Sequence, residues 1–310
     1  VKVFLLFAAK LEVFRMISER TAILKSFDGT DLFFRVFVPK RRERRTNTKG
    51  LILAVHGFGE HSGRHAELAE YLCAHNLALA SFDLRGHGKS GPRRGDAENL
   101  HAMVCDVIFV MNHVRNFFGF NASSKEFFGI LGENFGATLV VYAATLLGST
   151  CPPLFLASPL LSTRQKVPTW KKVITHSLPR VAPILQLPRN LVSKTLNNPA
   201  ADSEAADVDE LVLTSVTTRM EEILLQATDS TRLLHSLSLV QASVTVACGA
   251  NDNVLDLETL RALMPTLGSE SSEFHLVDGA PHELFSKHSK NNQEALQLVL
   301  SWTGNQDSQQ

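Results

Sequence analysis

Residues Phe127–Leu139 read FFGILGENFGATL. Phe127 to Leu131 is an apolar run of strand length, Gly132-Glu133-Asn134-Phe135-Gly136 is a tight turn bracketed by glycines, and Ala137-Thr138-Leu139 opens a helical pattern. A strand that turns this abruptly into a helix leaves no space for a Cβ where its flanks approach each other, a need that Gly132 and Gly136 meet. Outward from this stretch, short apolar runs alternate with helical periodicity. Strands are expected at Leu51 to Val55, Ala78 to Phe82, Phe127 to Leu131, Leu154 to Ala157, Val244 to Cys248 and Glu273 to Val277. Helices are expected around His65 to His75, Asn99 to Phe117, Phe135 to Leu147, Leu257 to Met264 and Gln293 to Trp302. That rhythm is the signature of an α/β protein, with a mostly parallel central sheet and helices on both faces. Thr21 to Phe27 and Leu32 to Val38, joined by Asp28-Gly29, read as an opening hairpin.

The rhythm breaks between about Leu160 and Val240, where Pro168, Pro179, Pro183, Pro188 and Pro199 fall. The expected organisation is therefore a core of residues 1–159 and 241–310 with a helical cap, residues 160–240, over the strand ends where open α/β sheets place their sites. One large core fits 310 residues of which 44% are hydrophobic.

Thirty-one basic and 31 acidic side chains give no global field to attract nucleic acid, so a neutral or amphipathic small molecule is the expected partner. Cys73, Cys105, Cys151 and Cys248 are widely spaced and show no metal-ligand or disulfide pattern; no cofactor or metal is called for. The apolar run Val1 to Ala9 is far shorter than the ~20 residues of a spanning helix. It reads as a first helix packed on the body, with the stump of a targeting segment and a surface-lying helix as alternatives. The cluster Lys40-Arg41-Arg42-Glu43-Arg44-Arg45 reads as a solvated loop, with contact to anionic lipid head groups as the alternative. A cytoplasmic protein, with possible peripheral membrane contact, is the resulting expectation.

The turn at Asn134 has the context of a nucleophile elbow, Gly-x-Ser-x-Gly, with serine replaced. Two further groups follow in chain order: Asp252 in the loop after Val244 to Cys248, and His282 in the loop after Glu273 to Val277. Nucleophile, acid and histidine in that order suit a triad in which the histidine removes the nucleophile's proton and the acid orients the imidazole. His56-Gly57-Phe58-Gly59 ends the strand Leu51 to Val55 and supplies an oxyanion turn, with the backbone N–H groups of Phe58 and Phe135 as donors.

His56 to Arg64, HGFGEHSGR, and Asp83 to Ser90, DLRGHGKS, resemble the monoacylglycerol lipase and lysophospholipase branch of the α/β-hydrolases, also grouped as serine aminopeptidase S33-like. GENFG resembles the GESMG elbow of plant members, and Val212 to Gln226 resembles the segment that closes the family's cap. The resemblance implies an α/β-hydrolase fold, acyl esters or monoacylglycerols as substrates, Asp252 as acid, His282 as base, and Phe58 and Phe135 as oxyanion donors. His65 stands where the family has tyrosine, a minor change.

Asn134 departs at the position on which the chemistry depends, because an amide nitrogen has its lone pair delocalised and cannot replace an alkoxide. Losing the serine of an intact triad costs on the order of 10⁶ in kcat. Three readings compete. An ester hydrolase scaffold disabled at one position is favoured, because Asp252, His282 and the oxyanion turn are all retained. A pseudoenzyme that binds a lipid or a protein partner stands second. Deamidation of Asn134 to an aspartate nucleophile stands third, because Phe135 shields the backbone nitrogen that would attack. The apolar cap residues Trp170, Leu178, Val181, Ile184, Leu185, Leu187 and Leu191 suit a slot for an acyl chain.

Overall fold

The computed structural model describes residues 17–40, 48–120, 124–164, 175, 177–188, 209–269, 271–286, 289 and 291–304. The run Val1 to Ala9, the arginines of the basic cluster, and Pro168, Trp170, Leu191 and Pro199 lie outside them.

Strands β1 (Ile17–Lys25) and β2 (Asp31–Pro39) form the expected hairpin, paired in register from Ile17 with Pro39 to Lys25 with Asp31. Then come β3 (Gly50–Val55), helix α1 (Ala66–Ala74), β4 (Leu77–Phe82), α2 (Leu100–Phe118), β5 (Phe127–Glu133), α3 (Phe135–Leu147) and β6 (Leu154–Ala157). The eight-stranded sheet has the order β1-β2-β4-β3-β5-β6-β9-β10, closed by β9 (Val244–Gly249) and β10 (Ser272–Val277). Only the pairings of β1 with β2 and of β2 with β4 are antiparallel; every other neighbour is parallel.

Because β3 and β4 are buried on both faces, their sequences are unbroken apolar runs, yet successive residues still serve opposite layers. Leu51, Leu53 and Val55 join α2 and α3 in one core, with Met103, Val107 and Val140. Ile52 and Ala54 join α1 in the other, with Leu68 and Leu72, together with α7 described below. Each fully buried Leu, Ile or Val stabilises the fold by roughly 1.5–3 kcal/mol relative to exposure. Asn99 caps α2 by accepting the Ala102 N–H at 2.8 Å, and left-handed Gly119 ends it.

Between β6 and β9 the chain leaves the sheet. There β7 (Gln186–Pro188) pairs antiparallel with β8 (Ser215–Thr217), followed by α4 (Thr218–Ala227) and α5 (Ser230–Leu239). Two sets of polar contacts help tie this excursion to the core. Thr217 Oγ1 donates to Asp96 Oδ1 at 2.7 Å and Arg219 reaches both Asp96 oxygens. Asp209 accepts from His61 Nε2 at 2.9 Å and faces Arg64 Nε at 3.3 Å, while Leu213 N–H donates to Gly59 O at 2.8 Å. Helices α6 (Leu257–Leu263) and α7 (Asn292–Trp302) complete the fold; α7 packs Leu296, Val299 and Leu300 on the sheet. Among the described residues no helix is long and apolar enough to cross a membrane.

The DLRGHGKS segment is a buried ion-pair knot. Arg85 is wholly buried; its Nε and Nη2 donate to Asp106 Oδ2 and Oδ1, each at 2.9 Å, and Nη1 donates to Asp28 and Glu98. Asp106 is equally buried and also accepts from Ser26. Arg85→Met should therefore leave an unpaired buried carboxylate and cost about 3–5 kcal/mol, read from urea unfolding midpoints. A loss below about 1 kcal/mol would mean that Asp106 is solvated without its partner.

Candidate active site

The site is built on the C-terminal ends of β3, β5, β9 and β10. At the end of β5 the chain has no room to turn gradually. A Cβ on Gly132 would meet Ala137 Cα at 2.5 Å, and one on Gly136 would meet the carbonyl oxygens of Val55 and His56 at 2.3 and 2.4 Å. Asn134, between them, is held at φ 49° and ψ −115°, a conformation that non-glycine residues rarely adopt. Its N–H donates to Ala157 O at 3.0 Å and its carbonyl accepts from Leu160 N at 3.1 Å, locking the strained residue to the end of β6.

The Asn134 amide faces His282. Its Nδ2 lies 2.7 Å from His282 Nε2, and its Oδ1 accepts the Phe135 N–H at 2.7 Å. An amide NH₂ only donates, so His282 Nε2 is the acceptor and its proton sits on Nδ1. That Nδ1 donates to Asp252 Oδ2 at 2.7 Å. The second oxygen of Asp252 accepts the N–H groups of Val254 and Leu255 at 2.8 and 2.9 Å. Burial pushes the Asp252 carboxyl up, but the hydrogen bond and charge of His282 together with those two backbone N–H groups outweigh it, and its pKa ends below the ordinary value. The loop carrying His282 is pinned by Ser158, whose Oγ donates to the His282 carbonyl at 2.7 Å. Asn134, Asp252 and His282, separated by up to 148 positions in sequence, are thus one hydrogen-bonded chain.

The turn after β3 carries an acid that the sequence reading did not single out. Gly57 N–H donates to Glu60 Oε2 at 3.1 Å, and the rings of Phe58 and Phe135 meet edge to face at 5.6 Å. His56 is buried and neutral: its Nε2 accepts the Leu84 N–H at 2.9 Å, its Nδ1 donates to Gly57 O at 2.8 Å, and burial pulls its pKa well down. Burial, and then the charge of Glu133, push the Glu60 carboxyl up. Burial and the nearby Glu60 push Glu283 up to about 7. His65 Nε2 lies 2.9 Å from Glu133 Oε1, and its Nδ1 lies 2.8 Å from Ser81 Oγ. His65, standing where the resembled family has tyrosine, thus faces the carboxyl of Glu133. The sequence reading missed Glu60, Glu133 and Glu283; the available signal was that each flanks a site turn, in Gly57-Phe58-Gly59-Glu60, Glu133-Asn134 and His282-Glu283.

No thiol near this chain is an obvious substitute nucleophile. Cys248 on β9 is buried, and desolvation and the Asp252 charge push its thiol far up; burial pushes Cys73 and Cys151 to about 12.

A mostly parallel sheet with helices on both faces, a strained turn after β5, and an acid and a histidine on successive loops make this an α/β-hydrolase. The chain belongs to the serine aminopeptidase S33 family, whose family model matches residues 46–288. It is similar to the monoglyceride lipase of Homo sapiens, at 27% identity over 84% of this chain and 82% of that protein. The monoacylglycerol lipase of Mycolicibacterium smegmatis is 22% identical over 88% of this chain and 93% of its own. Among solved structures, the Paleococcus ferrophilus monoacylglycerol lipase superposes with a TM-score of 0.70 at 22% identity, covering 89% of this chain and 99% of that one. A soluble variant of the Saccharomyces cerevisiae monoglyceride lipase, in complex with a substrate analogue, gives 0.73 at 16% identity, covering 93% and 94%.

Glu283 generates a prediction. Its folded pKa of about 7 exceeds the ordinary glutamate value of about 4.5, so between those two pH values the folded state binds more protons than the unfolded state. Stability contributed by this group is full below the lower value and is lost as pH rises through about 7. Glu283→Gln removes that penalty and should stabilise the protein at pH 8 relative to pH 5 by on the order of 1–3 kcal/mol, measured as the pH-dependent difference in unfolding free energy. An equal difference at both pH values would show that Glu283 does not carry the proton.

Proposed function

We propose that this chain is a carboxylic ester hydrolase scaffold of the monoacylglycerol lipase type, shaped for small acyl esters, in which Asn134 holds the place of the nucleophilic serine. One observation carries the reading: His282 is oriented by Asp252 and presents a bare Nε2 to position 134 at 2.7 Å. A serine hydroxyl at that position would give its proton to this nitrogen and attack an ester carbonyl, with Phe135 N–H and Phe58 N–H receiving the developing oxyanion. An asparagine amide offers no such nucleophile, so the chain as it stands is inactive or nearly so. In this reading the described elements between β6 and β9, namely β7, β8, α4 and α5, belong to a cap over the site.

The second reading, a pseudoenzyme that holds a lipid or acyl ligand or a protein partner without catalysis, draws support from the same residue. Asn134 Oδ1 already takes the Phe135 N–H, so one oxyanion donor is satisfied from within.

Asn134→Ser separates the two. Under the first reading, turnover of p-nitrophenyl esters and monoacylglycerols should rise by several orders of magnitude, given the ~10⁶ attached to the nucleophile. His282→Ala should abolish the gain, and fluorophosphonate probes should label the variant and not the parent. A folded Asn134→Ser protein that turns over no ester would leave the binding reading standing.

Peripheral membrane contact forms part of the proposal. Val181, Ile184 and Leu185 are exposed by 85%, 54% and 47%, a concentration of apolar surface beside β7. Vesicle co-sedimentation should fall about tenfold for Val181→Asp with Ile184→Asp, charges costly to bury in lipid. Equal sedimentation would assign membrane contact elsewhere or to none.

A further inference from the structure

We propose that Asn134 is a self-processing site: water, activated by His282, hydrolyses the Asn134 side-chain amide and leaves an aspartate at position 134. The inference rests on the geometry around this side chain and not on the ligand class proposed above.

The Asn134 amide is held as an amide substrate would be held by this machinery. Its carbonyl oxygen accepts the Phe135 N–H at 2.7 Å, which polarises Cγ=Oδ1 and stabilises negative charge on that oxygen. Its leaving nitrogen lies 2.7 Å from His282 Nε2, the atom able to take a proton and return it. Asp252, 2.7 Å from Nδ1, supports the imidazolium formed between those transfers. Asn134 and His282 are only partly buried, and the proposed step takes its water from that exposed side.

The step balances with water as the sole co-reactant. The Asn134 Nδ2–H to His282 Nε2 hydrogen bond first opens to admit a water between them; the water oxygen then bonds to Cγ as its proton passes to the freed Nε2, and the carbonyl electron pair moves onto Oδ1. The imidazolium then protonates Nδ2, the Cγ–Nδ2 bond breaks, the carbonyl re-forms and ammonia departs. The product acid ionises beside His282.

This route differs from ordinary deamidation, in which the following backbone nitrogen closes a five-membered ring on Cγ. The strained ψ of −115° does bring Phe135 N close to eclipsing the Cα–Cβ bond, as such a ring requires. However, the N–H of Phe135 is directed at Oδ1, and the nitrogen would have to lose that proton before it could attack. The two routes leave different products. Ring closure yields a mixture of aspartate and isoaspartate, whereas direct hydrolysis yields aspartate alone.

The test is an incubation of the purified full chain in ¹⁸O-labelled water, followed by mass spectrometry of the peptide between Lys125 and Arg164. Expected is conversion at Asn134 to aspartate free of isoaspartate, with one heavy oxygen retained. Its rate should exceed that at the exposed Asn251 in the same sample by about a hundredfold. Both His282→Ala and Asp252→Asn should bring Asn134 down to the background rate, with circular dichroism verifying their folding. Three results overturn the proposal: an amide that persists at position 134 while Asn251 converts, isoaspartate at position 134, or an unchanged rate in the folded His282 and Asp252 variants. None depends on ester turnover by Asn134→Ser, so this inference and the proposed function can fail separately.

Discussion

The absence of space beside Gly132 and Gly136 is the constraint from which the site follows. With the carbonyls of Val55 and His56 against Gly136, helix α3 has to start directly beneath the end of β3. The chain can enter that helix only by throwing the intervening residue into a positive-φ conformation. The strain is held by hydrogen bonds to Ala157 and Leu160, and its result is a side chain thrust out at the C-terminal end of the sheet toward His282. The packed core on both faces of the sheet supplies the rigidity that keeps such a conformation populated.

Around that point the electrostatics are lopsided. Asp252 is stabilised as a carboxylate by a histidine and two N–H groups, while Glu60 and Glu283 lack comparable support and hold their protons more tightly. The imidazole of His282 thus lies between a firmly ionised acid and a set of reluctant ones. A ligand bearing its own carboxylate would add a further acidic group to this neighbourhood, whereas a neutral ester would not.

The parallel strands were legible because burial on both faces writes them as continuous apolar runs, as in Leu51 to Val55 and Ala78 to Phe82. The elbow and the order of Asn134, Asp252 and His282 were legible because sharp turns need glycine and loops follow strands. Strand order was not, since apolar runs do not say which neighbour they pair with. The three-residue strands β7 and β8 escaped because Gln186-Leu187-Pro188 carries proline and no periodicity at that length. The carboxyls near His282 escaped for another reason: a glutamate in a loop looks solvated until tertiary packing encloses it, as happens to Glu60 and Glu283. The contact of His65 with Glu133 was hidden for the same reason, because it joins residues far apart in sequence.

The free cysteines have a consequence for how this fold breathes. Cys73 lies on the buried face of α1 in one core layer and Cys248 on β9 in the other, and burial keeps both thiols protonated at neutral pH. Neither reacts readily while its layer stays closed, because only the exposed thiolate is a good nucleophile. Alkylation of Cys73 therefore keeps time for the opening of the α1 layer, and that of Cys248 for the opposite layer beneath α2 and α3. The sheet thus carries one chemical clock on each side.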